Sequence, residues 1–93
     1  MLFVTFLTLK PTAKLDEAMQ RRAQWKVPEG VKPIAEYWPL TTTPNVISID
    51  EADEIASLMA ATGPWMDLFD ISIAPAVTAE EGLRLMSQMM PKT

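Results

Sequence analysis

The sequence has no cysteine and no histidine. Without cysteine there is no disulfide, no thiolate metal site and no thiol nucleophile. Without histidine the commonest general base and metal ligand is missing, and a Ser-His-Asp triad cannot be assembled. Glycine is scarce: three stand apart from one another, so no glycine-rich loop can cradle a phosphate. Positive charge is sparse too. Eight lysines and arginines face twelve acids for a net charge of −4, and the basic residues are scattered along the chain from Lys10 to Lys92. That balance argues against nucleic acid and against anionic membrane surfaces as partners. The apolar opening run, Leu2 to Leu9, contains Thr5 and Thr8 and is far short of the ~20 apolar residues a membrane helix needs. It also lacks the basic flank and small-residue cleavage site of a signal peptide. Cytoplasmic residence is the expectation by elimination.

What is present is a chain of 93 residues, 48% hydrophobic. This is enough for one domain, spanning residues 1–93, that hides somewhat over ~60% of its surface. Leu2 to Leu9 is rich in β-branched and aromatic residues and stops at Lys10-Pro11, which predicts a strand apolar on both faces. Leu15 to Lys26 carries apolar residues at helical spacing with Asp16-Glu17 in its first turn, a helix with acid at its positive end. Pro33 opens a second extended piece, Ile34 to Leu40, and the turn cluster Thr41 to Asn45 joins it to Val46-Ile47-Ser48-Ile49. Two short strands about such a linker read as a hairpin.

Asp50 is then an expected N-cap for a helix that buries Ile55, Leu58 and Met59 and ends at a C′ glycine, Gly63, before Pro64. Leu68 to Ala74 alternates as a strand and Pro75 should end it. Thr78-Ala79-Glu80-Glu81 is a capping box for a last helix with Leu83, Met86, Met89 and Met90 on one side.

The order strand, helix, strand, strand, helix, strand, helix predicts an α+β fold on the ferredoxin-like split βαβ plan. It has a βαββαβ core plus a C-terminal helix, and a four-stranded antiparallel sheet with helices on one face. The other face then needs cover, because the first strand is apolar on both sides. A second copy of the chain, packed sheet to sheet, would supply it, giving a homodimeric α/β barrel with an interior able to hold a ligand.

Met1-Leu2-Phe3-Val4 and the stretch Gly63-Pro64-Trp65-Met66-Asp67-Leu68-Phe69-Asp70-Ile71 resemble the small dimeric α/β-barrel proteins of the muconolactone-isomerase and antibiotic-biosynthesis-monooxygenase type. Within that superfamily the chain is most similar to a family of uncharacterised one-domain proteins. These share a turn like Val27-Pro28-Glu29-Gly30 and a Trp-x-Asp-Leu-x-Asp-like approach to the last strand. The resemblance implies the fold and a dimer more than an activity. Members that act on muconolactone or degrade haem use polar residues that include histidine, and this chain has none.

Strand alternation sorts the candidate site residues. Phe69, Ile71 and Ile73 should face the helices and leave Asp70 and Ser72 on the other side. Ile47 and Ile49 should join the helix side, with Val46 and Ser48 opposite. Glu36 and Trp38 are expected away from the helices, since a carboxylate beneath them is unfavourable. A cavity lined by Glu36, Trp38, Ser48, Asp70 and Ser72, with Phe3 or Phe6 from the first strand, suits a small apolar molecule with one or two polar handles. Glu36 and Asp70 are the candidate catalytic groups if desolvated; the competing reading pairs them with Lys10, Arg22 or Arg84. Trp38 is the candidate ligand platform and Trp65 a residue of the cavity rim, against the alternative that large rings fill cores and interfaces.

Asp50, Glu51, Asp53 and Glu54 lack the spacing of a calcium loop and complement a helix dipole, so no metal and no cofactor is expected. The leading expectation is a barrel that binds a small hydrophobic or aromatic molecule. Its enzymatic form would be a cofactor-independent isomerase or monooxygenase, with Glu36 as base, Asp70 as a second polar group and Trp38 as platform. The alternative is a non-catalytic structural or regulatory dimer with a fully packed barrel.

Overall fold

The computed structural model describes residues 1–90. Its strands are β1 (Leu2–Leu9), β2 (Val31–Tyr37), β3 (Val46–Ala52) and β4 (Phe69–Ala76), and its helices α1 (Leu15–Gln24), α2 (Ile55–Thr62) and α3 (Ala79–Met89). The strands form one antiparallel sheet in the order β2-β3-β1-β4, an α+β arrangement compatible with a ferredoxin-like fold. β1 is hydrogen-bonded on both edges, which suits the most apolar segment of the chain.

The pairing register decides which side chains share a face. Thr5 of β1 lies opposite Ser48 of β3 and Ile73 of β4, and Phe3 lies opposite Asp50 and Pro75. Phe3 and Thr5 are buried, as are Ala52 and Leu58, so this is the face the helices cover. Two separate apolar clusters hold it. Ala18 of α1 packs with Trp65, Leu68 and Phe69, backed by Leu7, Leu9 and Ile71. Leu58 of α2 packs with Phe3 and Ala52, backed by Val31 and Ile73.

Phe69, Ile71 and Ile73 therefore face the helices as expected, but two other assignments are reversed. Val46 and Ser48 lie on the helix side and Ile47 and Ile49 on the open side, because Ser48 is locked opposite Thr5. Glu36 sits opposite Ser48 and so also lies on the helix side. A β-bulge between Pro33 and Ala35 sets this phase. Pro33 pairs with Asp50, and one extra residue passes before Glu36 pairs with Ser48. β2 is an edge strand, where a proline without an N–H is tolerated.

Several boundaries differ from the sequence expectations. β3 runs on through Asp50 to Ala52, so Asp50 is a strand residue and not an N-cap. Glu54 occupies the N-cap of α2 without a side-chain cap bond. Cross-strand partners on both sides, Phe3 and Pro33, hold Asp50 in the ladder. Gly63 is right-handed helical, with φ −50, and leads into a short 3-10 turn over Gly63–Trp65 instead of closing α2 in the left-handed region. Pro75 lies within β4, which continues to Ala76; β4 is the other edge strand. The linker between β2 and β3 is longer than the turn cluster, because Trp38, Pro39 and Leu40 have left the sheet. Asn45 ties its end to β1: its N–H donates to the Leu7 carbonyl (2.8 Å) and its Oδ1 accepts from the Leu9 N–H (2.6 Å). Gly30 has φ +91, a left-handed conformation that favours glycine, and a Cβ there would lie 2.9 Å from Ser57 Oγ, which would have to turn aside.

α3 begins with one half of the expected capping box: Thr78 Oγ1 accepts from the Glu81 N–H at 3.1 Å, while the Glu81 carboxylate turns to Arg84 instead of back to Thr78. No residue of α3 is buried, however. Leu83, Met86, Met89 and Met90 present their apolar stripe to solvent in the single chain. The chain measures 55 × 30 × 17 Å with a radius of gyration of 15.7 Å, against about 12 Å for a compact domain of this length.

Leu58 is the most deeply buried large side chain, at 1% exposure, and packs α2 against Phe3 and Ala52. Leu58→Ala should lower the unfolding free energy by about 3 kcal/mol in urea denaturation. A loss below about 1 kcal/mol would mean that α2 is not held by this cluster.

Candidate functional site

The two clusters do not meet across the whole sheet. Between α1 and the β2–β3 half of the sheet lies a cleft of about 520 Å³, within the usual range for small-molecule sites. Leu7, Leu9, Val46, Val31 and Pro33 line it from the sheet, Leu15, Ala18 and Met19 from α1, and Leu58, Ala61 and Thr62 from α2. Its walls are mainly apolar. Arg22, Glu36 and Asp50 supply its charges and Thr5, Ser48 and Asn45 further polar groups.

The polar groups fall in a row set by the sheet register. Ser48 of β3 lies between Thr5 of β1 and Glu36 of β2, its cross-strand partners on either side. Asp50 follows two residues beyond Ser48, on the same face. Ser48 Oγ donates to Asp50 Oδ2 at 2.7 Å. Arg22 Nε donates to both carboxylate oxygens of Glu36, at 3.3 and 3.2 Å, and Trp38 Nε1 donates to Glu36 Oε2 at 2.7 Å. Glu36 is thus tied to a cation and an indole, whereas Asp50 has no ion-pair partner among the described residues. Partial burial pushes the Asp50 carboxyl above the usual carboxylate range. The Ser48 hydrogen bond opposes that shift, and the nearby Glu36 charge adds to it.

The candidate residues separate into two groups. Glu36, Trp38, Ser48 and Trp65 line the cleft, but from the helix side of the sheet. Phe6 and Ser72 are cross-strand partners on the opposite, open face, and Asp70, opposite Thr8, shares it. The lining expected for a single cavity is therefore split by the sheet itself. Trp38 stands at the mouth, more than half exposed.

Trp65 belongs to the core and not to the rim. It is buried, packs edge-on against Trp25 with ring centres 5.5 Å apart, and leans on Phe69 at 6.0 Å. The Arg21 guanidinium lies 5.7 Å from the Trp65 ring centre and grips Asp67 through two bonds of 2.7 and 3.0 Å. That bond holds the Asp67 carboxyl below its usual range. Reading Asp50 as a helix cap hid it from the candidate set; the signal available was the run of alternation Val46-Ser48-Asp50, which continues the strand by one more pair.

Asp50 is neutral more readily in the folded chain than in the unfolded one. Its contribution to stability is therefore fully present below the ordinary carboxylate range and lost as pH rises through its folded value. Asp50→Asn should raise the melting temperature at pH 7, and the difference should vanish near pH 3. Thermal unfolding at both pH values checks this; a variant less stable than the parent at pH 7 would contradict it.

The comparisons with known proteins bear on family and not on chemistry. No curated protein and no solved structure is significantly similar to the chain. No helix among the described residues is long and apolar enough to cross a membrane. The model of a domain of unknown function, DUF3303, matches residues 1–90, and over that span the chain belongs to the DUF3303 family.

Proposed function

We propose that the protein binds a small apolar or aromatic molecule in the cleft between α1 and the β2–β3 half of the sheet. The observation that carries this reading is the cleft itself: about 520 Å³ with apolar walls and a short row of polar groups along one side. Trp38 at the mouth gives a flat surface for an aromatic ring. In an enzymatic form the protein would be a cofactor-independent isomerase or monooxygenase, in line with the α/β-barrel families it resembles. The Arg22 and Trp38 bonds to Glu36 make that carboxylate an orienting group in this reading, and the base is Asp50.

The same reading makes the protein a homodimer through its open sheet face. Val4, Phe6, Ile47 and Ile49 form an apolar surface there, with Phe6 39% exposed, and the chain is more extended than a compact monomer of its length. Sheet-to-sheet packing would cover that face while leaving the cleft accessible on the outer side. The packed-barrel alternative keeps this interface and assigns no ligand.

Two measurements on two proteins test both halves. The parent chain should run as a dimer in native mass spectrometry and bind 2-naphthylmethanol, a neutral aromatic probe, in isothermal titration calorimetry. Phe6→Glu should run as a monomer and still bind the probe, because its side chain lies across the sheet from the cleft. Absence of probe binding by the parent would remove the cleft as a site for neutral aromatic molecules; a monomeric parent would remove the dimer.

A further inference from the structure

The charges of the cleft do not balance. Arg22 is the one cation among its described lining residues, and both oxygens of Glu36 engage it. Asp50 faces the same space with Ser48 as its hydrogen-bond donor and no cation beside it among the described residues. A half-buried carboxylate left without a counter-ion is unfavourable in an apolar surround, and a ligand that brings the missing positive charge relieves it.

Resting on the cleft being a ligand site, we propose that its ligand class is an apolar or aromatic body carrying a protonated amine, with the ammonium donating to Asp50 and the body lying against the apolar walls toward Trp38. The geometry supports this division of labour. Ser48 occupies Asp50 Oδ2 from one side and so fixes the carboxylate plane, leaving Oδ1 for a donor. Phe3 and Pro33 flank Asp50 across the ladder, and neither side chain carries a donor for it. Partial burial, and after it the nearby Glu36 charge, raise the affinity of Asp50 for a proton, and a ligand cation at the carboxylate would offset both. An anionic ligand is disfavoured on the same grounds, because it would add to two carboxylates facing one guanidinium.

A matched set of probes separates this inference from the reading beneath it. 2-Naphthylmethylamine, 2-naphthylmethanol and 2-naphthoate share one ring system and differ in charge. By calorimetry at pH 7, the amine should bind the parent protein about tenfold more tightly than the alcohol, and 2-naphthoate more weakly than either. In Asp50→Asn the amine-to-alcohol ratio should fall to within about twofold. Asp53→Asn removes the same charge at an exposed position outside the cleft, and should keep the tenfold ratio. Equal binding of amine and alcohol by the parent would overturn the amine inference while leaving the cleft as a binding site. A preference that survives in Asp50→Asn, or that Asp53→Asn also abolishes, would assign it to net charge and overturn the inference as well. Failure of all three probes to bind would overturn both.

Discussion

The pairing of β1 on both edges is the constraint on which the rest of the molecule depends. Its residues alternate Phe3, Thr5, Leu7 and Leu9 toward the helices and Leu2, Val4, Phe6 and Thr8 away from them. Once Phe3 and Thr5 are buried beneath the helical layer, every cross-strand neighbour inherits its face. Ser48 and Asp50 are drawn under the helices and Ile47 and Ile49 are turned outward. A slip of one residue would move each of these to the other side. The polar row in the cleft and the apolar open face are thus two results of one register.

The helical layer does not match the width of the sheet. α1 is anchored near one end by Ala18 against the aromatic group of Trp65 and Phe69, and α2 by Leu58 against Phe3 and Ala52. Each helix needs only one small patch of sheet to bury its own stripe, and the space between them becomes the cleft. Polar side chains within it can be retained because Arg22, Trp38 and Ser48 satisfy the two carboxylates in part. Asp50 is the one left short of a counter-charge among the described residues, so the proposed amine contact and the stability penalty fall on the same residue.

Much of the fold was legible in the sequence, because its signals were local. The β-branched and aromatic run of β1, the acid-led α1 and the capping box at Thr78 each specify their own element, and the structure has all three. The site was less legible, because its faces depend on pairing between distant segments. Isoleucine at 47 and 49 looked like the inner side of β3 by hydrophobicity alone. A sheet apolar on both faces gives no such guide, and the bulge after Pro33 shifted the phase of β2 without any clear turn signal. Asp50 has the residue type of a helix cap and the position of a strand residue, and the ladder partners Phe3 and Pro33 decide between them. Trp65 beside Gly63-Pro64 suggested a rim, but Trp25, distant in sequence, packs against it and Phe69 closes the other side.

The proposed ligand site lies on the helix side of the sheet and not between two sheets. Amide and indole chemical-shift mapping with 2-naphthylmethanol on uniformly ¹⁵N-labelled protein tests it directly. Perturbations are expected at Glu36, Ser48 and Asp50 and at the Trp38 indole N–H, with Phe6, Asp70 and Ser72 unmoved. Perturbations centred on Phe6, Asp70 and Ser72, with the cleft residues silent, would contradict it.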